Sequence, residues 1–285
     1  MKILLKITVM LALVSCTGKS VKQNRIMVTI EPQRYFTEEI AGFRFETESL
    51  VPSGVSPETY DPAPQQMLSV SRSRAFFYIG SLGFETAWID KLKANNKNVA
   101  FFRNDINIST VNAENEESHS EHHISHGAGD PHVWASPKNV LIMADNICRA
   151  LKEIDPENEE TYSDNTVKFK ETVNEIDKEI RELLKDSRQK SFIIFHPSLT
   201  YFARDYGLTQ YAIELEGKEP SAEHLKHIID IANRDNISTI FIQQEFDVRN
   251  AELVAAETQC RIVKINPLSY NWKAEMINIA KALSE

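Results

Sequence analysis

The chain has 285 residues, carries a net charge of −9 at pH 7 and is 42% hydrophobic. The acidic balance argues against a nucleic-acid partner, because neutralising phosphate requires a basic face. The hydrophobic content is ordinary for a globular protein. The roughly 260 residues that follow an N-terminal leader suffice for two modest domains or one large one.

The N-terminal segment predicts secretion and lipidation. MKILLKITVMLALVSC begins with Lys2 and Lys6 and continues with an apolar run that is too short for a membrane span of about 20 residues, as in a secretory signal. Its Leu-Val-Ser-Cys ending resembles the lipobox of bacterial lipoproteins, in which Cys16 becomes the lipid-modified first residue; an ordinary signal peptide containing a cysteine is the alternative. We predict a signal peptide over 1–15, a polar tether over 16–24, and a protein lipid-anchored in the cell envelope, on its periplasmic or extracellular side.

The next part of the chain alternates short strand-like runs with helical ones. The strand-like runs cover residues 25–30, 45–51, 75–80 and 98–103, and the helical ones cover 33–41 and 84–96. This alternation predicts a parallel sheet with helices on both faces. We assign residues 25–155 to an N-terminal α/β lobe.

A histidine-rich segment interrupts that alternation. SHSEHHISHGAGDPHVW, residues 118–134, holds five of the eight histidines. Imidazole is the commonest protein ligand for zinc and other borderline divalent ions, so this density indicates that the protein handles a divalent metal. Four of the five lie in a polar loop over 112–129: His119, His122, His123 and His126. We predict that this loop gathers metal weakly; the alternative is a charged, disordered linker.

Two helical patterns follow the loop. Ser136 as N-cap and Pro137 in the first turn begin a helix that runs to residue 154. Apolar residues at intervals of three, four or seven then predict a helix over 157–186, with a length of roughly 45 Å that could span a domain. We assign 156–187 to a helix that links two lobes.

Strand and helix alternate again in the last part of the chain. Strands are predicted over 191–196, 208–215, 238–244 and 260–266, and helices over 199–206, 221–234, 250–258 and 272–283. Residues 188–285 therefore form a C-terminal α/β lobe, although no sequence repeat relates it to the first. Cys148 and Cys260 are predicted to be two buried thiols, with a disulfide left open as the alternative.

Two such lobes form a cleft, and open parallel sheets bind ligands at the carboxyl ends of their strands. Five polar side chains end or follow predicted strands of the two lobes: Glu58, Asp61, His132, His196 and Asn266. Each lies in a loop with Pro or Gly, which presents a side chain from a turn. The sequence thus predicts one metal site that is supplied by both lobes.

These segments together resemble the metal-binding lipoproteins that serve as solute-binding components of zinc and manganese ABC importers. The matching segments are GVSPETYDPAP, the histidine-rich loop, DPHVWASP, the long helix, FHPSLTYFARDYGL, EGKEPSAEHL and INPLS, and they span nearly all of the chain. The resemblance implies two α/β lobes joined rigidly by a long helix, with the metal between them. It also implies delivery of the metal to a membrane permease, and we expect a monomer.

The resemblance implies the ligands only in part. His132 in DPH and His196 in HP match two histidine ligands of the family. Glu58 stands where the family usually has histidine, and it is a sound oxygen ligand for zinc or manganese. Asn266 replaces the usual aspartate before Pro-Leu; its amide is a weaker ligand, so water or another residue can fill that place. The histidines favour Zn²⁺, with Mn²⁺ left open.

Two other functions are alternatives to metal delivery. Two histidines and a carboxylate also suit a catalytic zinc with an open position, as in a secreted metallohydrolase. The sequence shows no HExxH and no second acid beside a ligand to act as general base, so we expect no enzymatic activity. The other alternative is a metal-independent adhesin or interaction module with this fold.

Overall fold

Two parallel four-stranded sheets form the framework of this computed structural model, which describes residues 24–111, 129–215 and 217–285. The predicted lipid site Cys16 and the four loop histidines lie outside the described residues. Among the residues that are described, none of the helices has the length and hydrophobicity needed to span a bilayer.

The N-terminal sheet has the strand order β2-β1-β3-β4. Its strands are β1 Arg25–Val28, β2 Glu46–Ser49, β3 Ala75–Tyr78 and β4 Ala100–Arg103. Its helices are α1 Glu31–Ala41, α2 Pro64–Ser71 and α3 Gly83–Asn95. All pairs are parallel, and β3 is buried along its whole length, as expected for a strand covered on both faces.

The C-terminal sheet repeats this topology with the order β6-β5-β7-β8. Its strands are β5 Ser191–Ile194, β6 Thr209–Ala212, β7 Thr239–Gln243 and β8 Arg261–Ile265. Its helices are α6 Thr200–Tyr206, α7 Ala222–Arg234, α8 Arg249–Thr258 and α9 Trp272–Ser284. The predicted two-lobed α/β fold is therefore confirmed, and the lobes share a topology without a visible sequence repeat.

A long helix joins the lobes, as predicted. After α4 Pro137–Ile154 and a 3₁₀ turn at Pro156–Asn158, α5 extends over Glu159–Leu184. Its buried residues recur at intervals of three or four: Tyr162, Thr166, Phe169, Val173, Ile176, Ile180 and Leu184. This face packs on α1 and α4 of the first lobe and on α9 of the second. One hydrophobic core is thus continuous between the lobes.

Two buried tryptophans connect the two lobes. The indole N–H of Trp134 donates to the carbonyl of Pro267 at 2.9 Å, and that of Trp272 donates to the carbonyl of Trp134 at 2.8 Å. Both rings are about 1% exposed or less. Because each indole has its partner, these contacts tie α9 and the segment before α4 together without leaving a buried polar group unpaired.

One helix and the strand ends differ from the prediction, whereas the two cysteines agree with it. Helix α2 was not predicted, because only Val70 of its residues is buried and PQQMLSVS has little apolar periodicity. The strands are shorter than predicted, since the ends of the apolar runs belong to loops at the cleft. Cys148 and Cys260 are free and buried, which confirms two thiols.

Candidate metal centre

Three of the predicted ligands meet between the lobes. Nε2 of His132 lies 3.3 Å from Nε2 of His196 and 3.8 Å from Oε1 of Glu58. The donor atoms of all three residues lie within 4.8 Å of one another. A tetrahedral zinc ion with bonds of about 2.0–2.2 Å holds its ligand atoms a little over 3 Å apart. The two imidazole nitrogens therefore have the spacing that one ion requires, and the Glu58 carboxylate lies within a small side-chain movement of it.

His132 is oriented by a neighbouring carboxylate. Its ring Nδ1 lies 2.9 Å from Oδ1 of Asp130, which also accepts the backbone N–H of His132 at 2.8 Å. The hydroxyl of Tyr201 donates to the Asp130 carbonyl at 2.7 Å and holds this turn in place. A carboxylate at Nδ1 fixes the tautomer that leaves the Nε2 lone pair free for a metal ion.

Burial and their mutual attraction act on the pKa values of His132 and Asp130. Burial opposes the charged form of His132, but the charge and hydrogen bond of Asp130 outweigh it, so the pKa of His132 is raised. Burial likewise opposes ionisation of Asp130, yet His132 lowers the pKa of that carboxyl. A proton consequently competes with a metal ion for Nε2 of His132.

His196 is held in the same manner from the second lobe. Its Nδ1 lies 3.2 Å from Oε2 of the buried Glu214, which follows β6. The side-chain amide of Gln243 donates to the His196 carbonyl at 2.6 Å, and its oxygen accepts the His196 N–H at 3.3 Å. The ring of Phe246 stacks on the imidazole with centroids 5.2 Å apart. Both histidines therefore present Nε2 with a carboxylate behind Nδ1.

Glu58 is held by the N-terminus of α3. Its Oε2 accepts the backbone N–H of Gly83 at 3.0 Å, while the N–H of Phe84 donates to the Pro57 carbonyl at 3.0 Å. The positive end of a helix favours a carboxylate at this place. Oε1 of Glu58 is buried and has no hydrogen-bond partner among the described residues, so one oxygen is fixed and the other is available to an ion.

A second buried acid secures the start of α3. Glu85 accepts the hydroxyl of Thr29 at 2.6 Å and the N–H of Ile79 at 2.8 Å, which ties the helix to the ends of β1 and β3. Complete burial raises the pKa of Glu85 to about 7. The backbone N–H of Gly83, which binds Glu58, therefore belongs to a helix whose start is held in place by these hydrogen bonds.

Replacing Gly83 with alanine is expected to weaken zinc binding about tenfold. A Cβ at this position would lie 2.2 Å from the backbone oxygen of Glu58, so the loop that carries the carboxylate must shift. Isothermal titration with zinc measures the effect. Thr86→Ala, an exposed change in the same helical turn, is the control. Equal zinc affinity in the Gly83 variant and the wild type would contradict the proposed position of Glu58.

The structure places Asn266 in a turn after β8. Its Oδ1 accepts the N–H of Leu268 at 3.1 Å, and its own backbone N–H donates to Oε1 of Glu275 at 2.7 Å. Its neighbours Pro267 and Leu268 line the small cavity beside the two imidazoles. The amide oxygen is thus already used in shaping the turn, and ligation by Asn266 stays a prediction.

Glu245 is a site residue that the sequence reasoning missed. It follows β7 and lines the same cavity as Glu58, His132 and His196. Burial raises its pKa, while the charges of His196 and His132 act in the opposite direction. An acid directly after a predicted strand was a usable signal, since the same criterion had selected Glu58.

A cleft of about 650 Å³ opens beside the three ligands. Six acidic residues and one lysine line it: Glu58, Asp130, Glu214, Glu219, Glu245 and Asp247, with Lys218. Such a wall raises the local concentration of cations. The N–H of Asp130, one of the lining residues, donates to the Val111 carbonyl at 2.7 Å, so the residues that flank the polar loop over 112–129 lie next to each other.

The chain is similar to known metal-binding proteins. A protein family described as "Zinc-uptake complex component A periplasmic" matches residues 26–284. The crystal structure of a zinc-bound ZnuA deletion mutant is 36% identical, with a TM-score of 0.83 over 91% of this chain and 96% of that one. The zinc-binding protein AdcA of Streptococcus pyogenes serotype M3 is 27% identical over 88% of this chain, which spans only about half of AdcA (52%). The manganese ABC transporter substrate-binding lipoprotein PsaA of Streptococcus anginosus is 27% identical over 88% of this chain and 84% of PsaA.

Proposed function

Because the chain belongs to the ZnuA family of periplasmic zinc-uptake components, we propose that it captures one zinc ion between its lobes and delivers it to an ABC permease. The family comprises metal-binding, solute-binding proteins of ABC transporters rather than enzymes. The ion is the transported solute of such a protein, and the two lobes bind it between them.

The observation that supports this proposal is the 3.3 Å approach of the two Nε2 atoms of His132 and His196. They come from different lobes, and each imidazole has a carboxylate at Nδ1. Two imidazoles and a carboxylate suit zinc better than manganese, for which oxygen ligands predominate. We therefore propose zinc as the natural ion, bound by Glu58, His132 and His196.

The N-terminal segment and the relatives support a location outside the cytoplasmic membrane. Cys16 in its lipobox-like context supports a lipid anchor, and PsaA is named a lipoprotein. Anchored outside the cytoplasmic membrane, the protein would meet zinc before the permease does. The acidic walls of the cleft would attract the ion, and its release would follow docking on the permease.

Metal analysis of the protein purified without chelators tests this function. We expect one equivalent of zinc, and zinc should displace manganese in competition. Preference for manganese would contradict the proposed cargo, and absence of any tight metal binding would favour the adhesin or interaction module. Zinc-dependent turnover of an ester, peptide or phosphate substrate would favour the metallohydrolase, for which Glu245 would be a candidate general base.

A further inference from the structure

Three ligands leave one position of a tetrahedral zinc ion to be filled. The residue expected there from the resemblance, Asn266, has its amide oxygen engaged by the N–H of Leu268. A different protein group is therefore a candidate for the fourth position, and it must face the same cavity.

Glu245 faces this cavity from the second lobe. Together with Glu58, His132 and His196 it lines the small space beside the imidazoles. Its Oε2 is buried without a hydrogen-bond partner among the described residues, as is Oε1 of Glu58. A buried carboxylate oxygen without a partner destabilises the folded protein. A bound cation or a hydrogen-bond donor would remove this penalty for each of the two oxygens.

The turn that carries Glu245 is fixed to His196 on both sides. Gln243, two residues before it, is hydrogen-bonded to the backbone of His196, and Phe246, one residue after it, stacks on the imidazole. The N–H of Phe246 closes the turn onto the Gln243 carbonyl at 3.2 Å. The backbone of Glu245 thus has a set position relative to one proposed ligand.

We propose that Glu245 is the fourth metal ligand of this protein, which rests on the proposed function of zinc capture. Each lobe then supplies one imidazole and one carboxylate: Glu58 and His132 from the first, His196 and Glu245 from the second. The two carboxylates balance the charge of a divalent ion. Oε2 of Glu245 is not among the donor atoms that already lie within 4.8 Å of one another, so its side chain rotates toward the ion on binding. Because Oε2 has no partner there, this rotation breaks no hydrogen bond of that atom.

Isothermal titration of the full chain with zinc tests this assignment. For Glu245→Gln, which keeps the shape and removes the charge, we expect the zinc Kd to rise roughly 100-fold. Glu252→Gln is the matched control, because Glu252 is exposed on α8 of the same lobe and lies outside the cleft lining. Asn266→Ala should change the Kd less than threefold.

Two further measurements separate ligation from a structural role. The apo form of Glu245→Gln should melt at or above the wild-type temperature, since the charge beside a buried oxygen without a partner is removed. With Co²⁺ in place of zinc, the visible absorption of the variant should depart from that of the wild type, because coordination geometry changes.

The possible results are distinct. An unchanged zinc Kd for Glu245→Gln would overturn the assignment, and a large rise for Asn266→Ala would place the amide in the fourth position instead. If neither variant changes the Kd, water fills that position and the assignment is again wrong. Failure of the wild type to bind zinc would contradict the proposed function itself, whereas the other three results leave that function standing.

Discussion

Replacing His196 or His132 with alanine is expected to abolish tight zinc binding while the protein remains folded. Each variant removes one of the two imidazole nitrogens that lie 3.3 Å apart across the cleft. We expect the zinc Kd to rise on the order of 1,000-fold, which corresponds to about 4 kcal/mol. Titration calorimetry measures the loss, and circular dichroism checks the fold.

The fold should tolerate these changes because both side chains lie at the cleft rather than in the hydrophobic cores. Removal of His196 leaves Glu214 without its 3.2 Å partner, so some loss of stability is expected as well. His224→Ala is the control: His224 belongs to the same lobe, and its Nε2 lies 3.0 Å from the carbonyl of Ala212. Undiminished zinc affinity in both cleft variants would rule out the proposed ligands.

The second large effect is expected for Trp272→Ala. The indole is fully buried, meets the ring of Phe36 edge-on at 5.3 Å and donates to the carbonyl of Trp134. Replacing a buried aromatic residue with alanine lowers the free energy of unfolding by about 3–5 kcal/mol. For a chain of this size we expect the melting temperature to fall by roughly 6–20 °C. Differential scanning calorimetry measures it.

Trp88→Ala provides a matched control for this prediction. Trp88 is half-buried on α3, where Lys91 lies 4.8 Å from its ring. The same chemical change there opens no cavity between the lobes, so the fall in melting temperature should be much smaller. Equal falls for the two variants would show that Trp272 does not hold the lobes together.

The fold could be predicted from the sequence because the apolar residues of its strands and helices recur in a regular pattern. Buried strands such as β3 and β5 are continuous apolar runs, and the apolar stripe of α5 recurs at helical spacing. The resemblance to metal-binding solute-binding proteins is confirmed by the family match over residues 26–284. Helix α2 escaped prediction since a half-exposed helix on the surface has a weak apolar stripe.

The candidate site was predicted less completely than the fold. His132 and His196 stand in recognisable motifs, and the structure brings them together with Glu58. Asp130 and Glu214 position the two imidazoles in the folded protein. They could not be predicted, because nothing in their sequence spacing indicates that they reach Nδ1 of a histidine. Glu245 was missed because it belongs to none of the matching motifs, and its importance depends on a cavity that only the folded chain forms.

Diffraction data collected at the zinc absorption edge from crystals of the zinc-loaded protein test the central claim most directly. We expect one strong anomalous peak about 2.0–2.1 Å from Nε2 of both His132 and His196. A peak elsewhere in the molecule, with the two imidazoles free of metal, would contradict capture of the ion between the lobes.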